Sequence, residues 1–186
     1  MSGFVEAIIN RAGLSPILAA RRAGAIVQDG EWHRADLLVL GAVADLLRSE
    51  ENGADVWVHV DAPPGVLFVD GASDLDLLRA VSIERIRCGG RIGVDWGRHG
   101  LELAQVALGF GASDLVGPIQ RKSGLPILED ESKKVKGEGR VDLASLKRRE
   151  IALLIQHAGR VAHFTHECAV VERLEHVAQV KGEARV

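Results

Sequence analysis

Five residues in two short stretches have the types and spacing to do chemistry. VLFVD, from Val66 to Asp70, and RIGVDWGRHG, from Arg91 to Gly100, each run through apolar residues to an aspartate. If both are strands, Asp70 and Asp95 stand at strand C-termini, where parallel sheets gather their active-site groups. Two carboxylates there can hold a divalent cation or act as a general base. Trp96, Arg98 and His99 follow directly and add an aromatic face, a permanent positive charge and a side chain that titrates near neutrality. Gly97 and Gly100 leave the backbone free to approach a ligand, and the amides of the helix that follows suit an anion. Asp70, Asp95, Trp96, Arg98 and His99 are therefore the candidate site for a small anionic or aromatic metabolite. The plainer reading stands beside it: aspartate is a common strand-ending residue, and Trp96 can simply pack in the core.

Other groups carry weaker signals. Asp61 ends a third alternating run, and Asp114 joins the carboxylates only if its strand is shifted. His163, His166 and Cys168, with His176 nearby, lie close together in sequence, but their spacing fits no zinc template, and no metal is assigned. Cys88 lies beside Gly89 and Gly90 without a group to activate its thiol. Gly109 and Gly111 are half of a dinucleotide fingerprint in the wrong context, after a helix. No P-loop, GxSxG elbow or HExxH helix occurs, and no cofactor is expected.

The elements that must position these residues follow from periodicity. Ser15-Pro16 predicts a helix start, and that helix should stop at Asp29-Gly30. RADLLVLGAVADLLRSE predicts a second helix with Leu37, Leu40, Val43, Ala44 and Leu47 on one face. VWVHVD then alternates, with Val56, Val58 and Val60 on one face and Trp57, His59 and Asp61 on the other. Ser73 with Asp76 predicts a capped helix over DLDLLRAVSIERIR. RIGVDW, DLVGPI and RVAHFTH predict further strands; LELAQVALGF and a segment from Asp142 to Ile155 predict helices, with a polar loop from Arg121 to Arg140. The alternation of strand and helix from residue 66 onward predicts an α/β fold with an open, largely parallel sheet of about five strands and N-terminal helices. The four residues Ala62 to Gly65 are too few for a full parallel crossover, so one hairpin is expected between the first two strands, which would send Asp61 and Asp70 to opposite ends.

Composition sets the outer limits. At 186 residues, 47% hydrophobic and 26% charged, the chain suits a single globular domain: a helical leader over 1–53, the sheet and its helices over 54–166, and a helical tail over 167–186. A net charge of -3 with scattered basic residues gives no footprint for nucleic acid, and no apolar run reaches the length of a membrane span. Glu6 interrupts what would be the apolar core of a signal peptide, so a cytoplasmic location is expected.

WGRHGLELAQVALGFGASDL resembles a region near the C-terminal end of the radical S-adenosylmethionine enzymes of the futalosine route to menaquinone and of deazaflavin cofactor synthesis. DLDLLRAVSIERI resembles the preceding helix of those enzymes, KRREIALLIQHAGRVAHFTHE their closing helix and strand, and GLSPILAARRAGAIVQDGEWHRADLLVLGAVADLLR their leader. The resemblance implies a barrel scaffold. Those enzymes hold an iron-sulfur cluster on a CxxxCxxC loop, whereas this sequence has two cysteines, Cys88 and Cys168, and the text after Pro64 continues with late-barrel material. A closed eight-stranded barrel also takes about 200 residues or more. The resemblance therefore implies a partial barrel without radical chemistry. The expected function is a non-catalytic small-molecule-binding or accessory protein, with a possible link to menaquinone biosynthesis. Two alternatives remain open: an acid-base enzyme using Asp70, Asp95 and His99, and a structural partner that associates with itself. Sheet edges left by missing strands make a homo-oligomer the expected state.

Overall fold

Alternating valines and a run of short strands, most of them preceded by a helix, build the sheet. The computed structural model describes residues 2–120 and 146–165. Helices α1 (Ser2–Arg11), α2 (Ser15–Arg22) and α3 (Leu37–Asn52) precede strand β1 (Asp55–His59). β2 (Leu67–Phe68), α4 (Asp74–Arg87), β3 (Ile92–Asp95), α5 (Trp96–His99), α6 (Leu101–Leu108) and β4 (Asp114–Val116) follow. The described chain closes with β5 (Ile119–Gln120), β6 (Leu146–Lys147), α7 (Arg148–His157) and β7 (Val161–Phe164). The main sheet has five strands in the order β2-β3-β4-β1-β7, every pair parallel, and β5 and β6 form a separate parallel pair. The fold is α/β, with an open, partial-barrel-like sheet. The expected Asp142 cap lies outside the described residues, as do the whole 121–140 loop, His166, Cys168, His176 and the tail.

Local chemistry explains most of the boundaries. Asp36 caps α3 through Leu38 N–H at 2.9 Å, and Ser73 Oγ accepts from Asp76 N–H at 3.2 Å to start α4. At α7 the Glu150 carboxylate reaches back to the Lys147 N–H at 2.9 Å. α2 ends at Arg22, earlier than Asp29-Gly30, because Gly24 takes a left-handed conformation with φ 79°.

The hairpin expected between β1 and β2 does not form. β1 lies between β4 and β7, while β2 is an edge strand paired in parallel with β3. A short link suffices because β2 has only two residues, so little length must be retraced. In register terms Leu67 lies three residues back from the level of His59 and three strands away. That is a straight-line gap of about 17 Å, against a reach of about 26 Å for the eight Cα steps from His59 to Leu67. The parallel arrangement places Asp61 after the same end of the sheet as Asp70 and Asp95, not opposite them.

The two faces of the sheet differ in kind. Val56, Val58, Ile92, Val94 and Leu115 join Leu77, Leu78 and Val81 of α4, Ala104, Ala107 and Leu108 of α6 and Ile151 and Ile155 of α7 in one buried cluster. A second cluster unites Ile9, Leu14, Leu18, Leu40, Val43, Ala44 and Leu47 of the leader with Ile86 of α4. These helix-forming stripes are buried because each removes apolar surface from water, worth roughly 1.5–3 kcal/mol per large side chain. Arg85, fully buried, ties the layers together: it donates to Gly111 O at 2.8 Å, to Glu51 Oε2 at 2.8 Å, to Ser113 Oγ at 3.2 Å and to Gly90 O. Burial pushes its guanidinium below the ordinary arginine value, and the nearby Glu51 carboxylate opposes that shift.

Candidate functional site

The other face of the sheet is polar and aromatic. Strand register puts Trp57, Asp114, Gly93 and Phe68 in one row across β1, β4, β3 and β2, with His163 beside Trp57 on β7. Phe68 lies against Gly93 so closely that a Cβ there would come within 2.4 Å of its ring. Trp57 stacks with His163 at 5.8 Å between ring centroids, and the Arg91 guanidinium lies over the Trp57 ring at 5.1 Å. His163 Nε2 meets Asp55 Oδ1 at 2.8 Å in a half-exposed pair.

Beneath this surface runs a buried hydrogen-bond network. Asp114 is fully buried and His59 is 2% exposed, yet their side chains meet at 2.8 Å, Nε2 to Oδ1. Asp114 also accepts from Ser113 Oγ at 2.8 Å, from Arg91 Nε at 3.3 Å and from Arg91 Nη2. Three donors besides the imidazole on one carboxyl group require its ionised form. The proton of His59 is then assigned to Nε2, which donates to Asp114, and Nδ1 is left as an acceptor, 2.8 Å from Thr165 Oγ1. Asp114 opens the short β4 and Ser113 immediately precedes it; residues Ala112 to Gly117 are all buried, so the carboxylate must be paired within the protein.

At the C-terminal rim the structure brings three of the five sequence candidates into contact. Asp70, two residues past β2, receives Arg98 Nη1 at 2.6 Å on one oxygen and His99 Nε2 at 3.0 Å on the other. Asp95 ends β3 and turns its Oδ1 to the amides of Gly97 and Arg98 at 2.8 and 3.3 Å, so its carboxylate caps the four-residue α5. Trp96 faces the interior at 2% exposure, packed so tightly against Gly117 that a Cβ there would come within 2.4 Å of the indole. It offers no aromatic face to a ligand. The amide of Gly100 is bonded to Trp96 O at 2.9 Å, and Arg98 already has a carboxylate partner, so an anion arriving here competes with Asp70.

His59, Arg91, Ser113, Asp114 and Thr165 were not among the candidates. A signal for His59 was present, because the VWVHV alternation sets Trp57 and His59 on the face opposite the valines. Asp114 does open its strand, as the DLVGPI reading has it, and that placement set it apart from the strand-end carboxylates. The cysteines do not fit a cluster of the kind the resembled enzymes carry. Cys88 is exposed at the end of α4, which leads into the N-terminal end of β3, and the sequence has only one other cysteine. Among the described residues no group of three His, Cys, Asp or Glu is placed to hold a metal ion, and no helix is long and apolar enough to cross a membrane. No protein-family model, curated protein or solved structure matches the chain.

Proposed function

We propose that this protein binds a small planar metabolite, aromatic and negatively charged, on the polar face of its sheet, and that it serves as a binding or accessory protein on a scaffold resembling that of the menaquinone-route radical enzymes, without their radical chemistry. The observation that carries the proposal is the Arg91 guanidinium lying over the half-buried Trp57 and anchored by the buried Asp114. A planar cation fixed over an aromatic ring, with Phe68 three strands further along the same row, can recognise a flat ring by stacking, and a carboxylate by the Nη1 side of the guanidinium, since Asp114 engages Nε and Nη2. The carboxylate of Asp114 holds the fork in place before a ligand arrives, which lowers the ordering cost of binding.

The test is a fluorescence titration of the full chain with naphthoate, with Trp57→Phe and Arg91→Ala as variants. Saturable quenching that disappears in Trp57→Phe and weakens about 10- to 150-fold in Arg91→Ala is expected, the scale of about 1.5–3 kcal/mol for a hydrogen bond to a charged group. Saturable quenching that persists in Trp57→Phe, or none in the unmodified protein, sinks the reading. The contact of Asp70 with His99 favours a second reading, acid-base chemistry at the rim. Since Asp95 is committed to its cap, that reading rests on Asp70 and His99 alone.

A further inference from the structure

We infer that Thr165 is a nucleophilic hydroxyl, activated by His59 and Asp114, that accepts an acyl group from an activated ester or thioester. Three side chains, from β1, from β4 and from the residue that follows β7, form a chain of hydrogen bonds. Thr165 Oγ1 is 2.8 Å from His59 Nδ1, and His59 Nε2 is 2.8 Å from Asp114 Oδ1. This is the arrangement by which a hydroxyl is made reactive: a neutral imidazole within hydrogen-bond reach as general base, and a carboxylate behind it that fixes the tautomer and stabilises the imidazolium.

The surroundings fit each role. Asp114 is fully buried and accepts from Ser113 and Arg91, which fix its carboxylate in place. His59 is almost fully buried, and with its proton on Nε2 it presents a lone pair to the hydroxyl. Thr165 is exposed, immediately after β7, at the C-terminal end of the parallel sheet. Its other acceptor, Val58 O, is more distant at 3.3 Å, so the single hydroxyl proton is directed to the imidazole.

The step balances within the protein and its substrate. The Thr165 Oγ1–carbonyl carbon bond forms as the bond from that carbon to the leaving oxygen or sulfur breaks. The hydroxyl proton passes to His59 Nδ1 and from there to the departing alkoxide or thiolate, which leaves as an alcohol or thiol. The protein keeps an ester on Thr165, and water activated by the same imidazole can release it as a carboxylic acid. A secondary hydroxyl is a hindered nucleophile, which is why the acyl donor must carry a good leaving group.

The probe is p-nitrophenyl acetate with the full chain, read by intact mass and by mapping the acetylated peptide. One acetyl group on Thr165 is expected. Thr165→Val should reduce acetylation of that peptide to background, Thr165→Ser should keep or raise it because a primary hydroxyl is less hindered, and His59→Ala should slow it by about a hundredfold or more. Acetyl groups found only on lysines, or Thr165→Ser behaving like Thr165→Val, would overturn the inference. Both Thr165 variants alter an exposed side chain, so they decide the question even if His59→Ala fails to fold. Naphthoate quenching of Trp57 should survive Thr165→Val, so the nucleophile and the ligand site can fail separately.

Discussion

Replacing Asp114 with Asn tests whether the buried network holds the sheet together. The substitution keeps shape and removes the charge. One amide oxygen can still accept from His59 or from Ser113 and Arg91, but the new NH2 group must then face donors that previously met a carboxylate oxygen. The Arg91 arm is about a third exposed, with a side-chain exposure of 36%, so screening by water reduces its share to about 1 kcal/mol or less. His59 and Ser113 are buried, and each hydrogen bond to the charged carboxylate is worth about 1.5–3 kcal/mol. The loss should total about 3–5 kcal/mol, the range for breaking a buried charged pair. In a domain of this size that lowers the melting temperature by roughly 6–20 °C. Urea unfolding followed by circular dichroism gives the free energy directly, and Asp55→Ala serves as control on the same face. Its pair with His163 is nearly half exposed on both sides and should contribute less than about 1 kcal/mol. A change below about 1 kcal/mol for Asp114→Asn, or one no larger than the control, refutes the argument.

Arg85→Lys should cost about 3–5 kcal/mol in the same unfolding assay, because one ammonium cannot serve Gly111 O, Glu51, Ser113 and Gly90 O together. Gly93→Ala should cost about 1–3 kcal/mol and free the Phe68 ring, since the added methyl must push that ring and its two-residue edge strand aside; amide exchange on β2 reads the loosening. Asp70→Ala should leave stability within about 0.5 kcal/mol, as its partner Arg98 is mostly exposed, yet tighten the binding of inorganic phosphate at the rim by releasing Arg98 and His99; calorimetry with phosphate distinguishes this from no change. A homodimer formed through the sheet edges is proposed from the outward flanks of β2 and β7, where Leu67 and Val161 are 46% and 51% exposed; light scattering that reports a monomer throughout the micromolar range would count against it.

What the sequence by itself determined were the features written over a few neighbouring residues. The VWVHV alternation assigned the two faces of β1, Ser73 with Asp76 marked the start of α4, and repeated strand and helix required a parallel sheet with helices packed on it. It also placed Asp70 and Asp95 at one end of the sheet, because a helix joins their strands and returns the chain to run the same way. Tertiary structure decided what depends on residues far apart in the chain. Whether Asp114 met His59, 55 positions earlier, depended on which strand lies beside which and in what register, and a slip of one residue would have turned the carboxylate to the apolar face. The place of β2 at the edge was likewise hidden, since loop length constrains a connection only after the number of residues it must retrace is known. Trp96 followed the same rule: its spacing from Ile92 and Val94 put it on the apolar side, and the start of α5 with the bare backbone of Gly117 settled that it would be core and not a ligand platform. Local pattern fixes the face a side chain takes, and long-range packing fixes what it meets there.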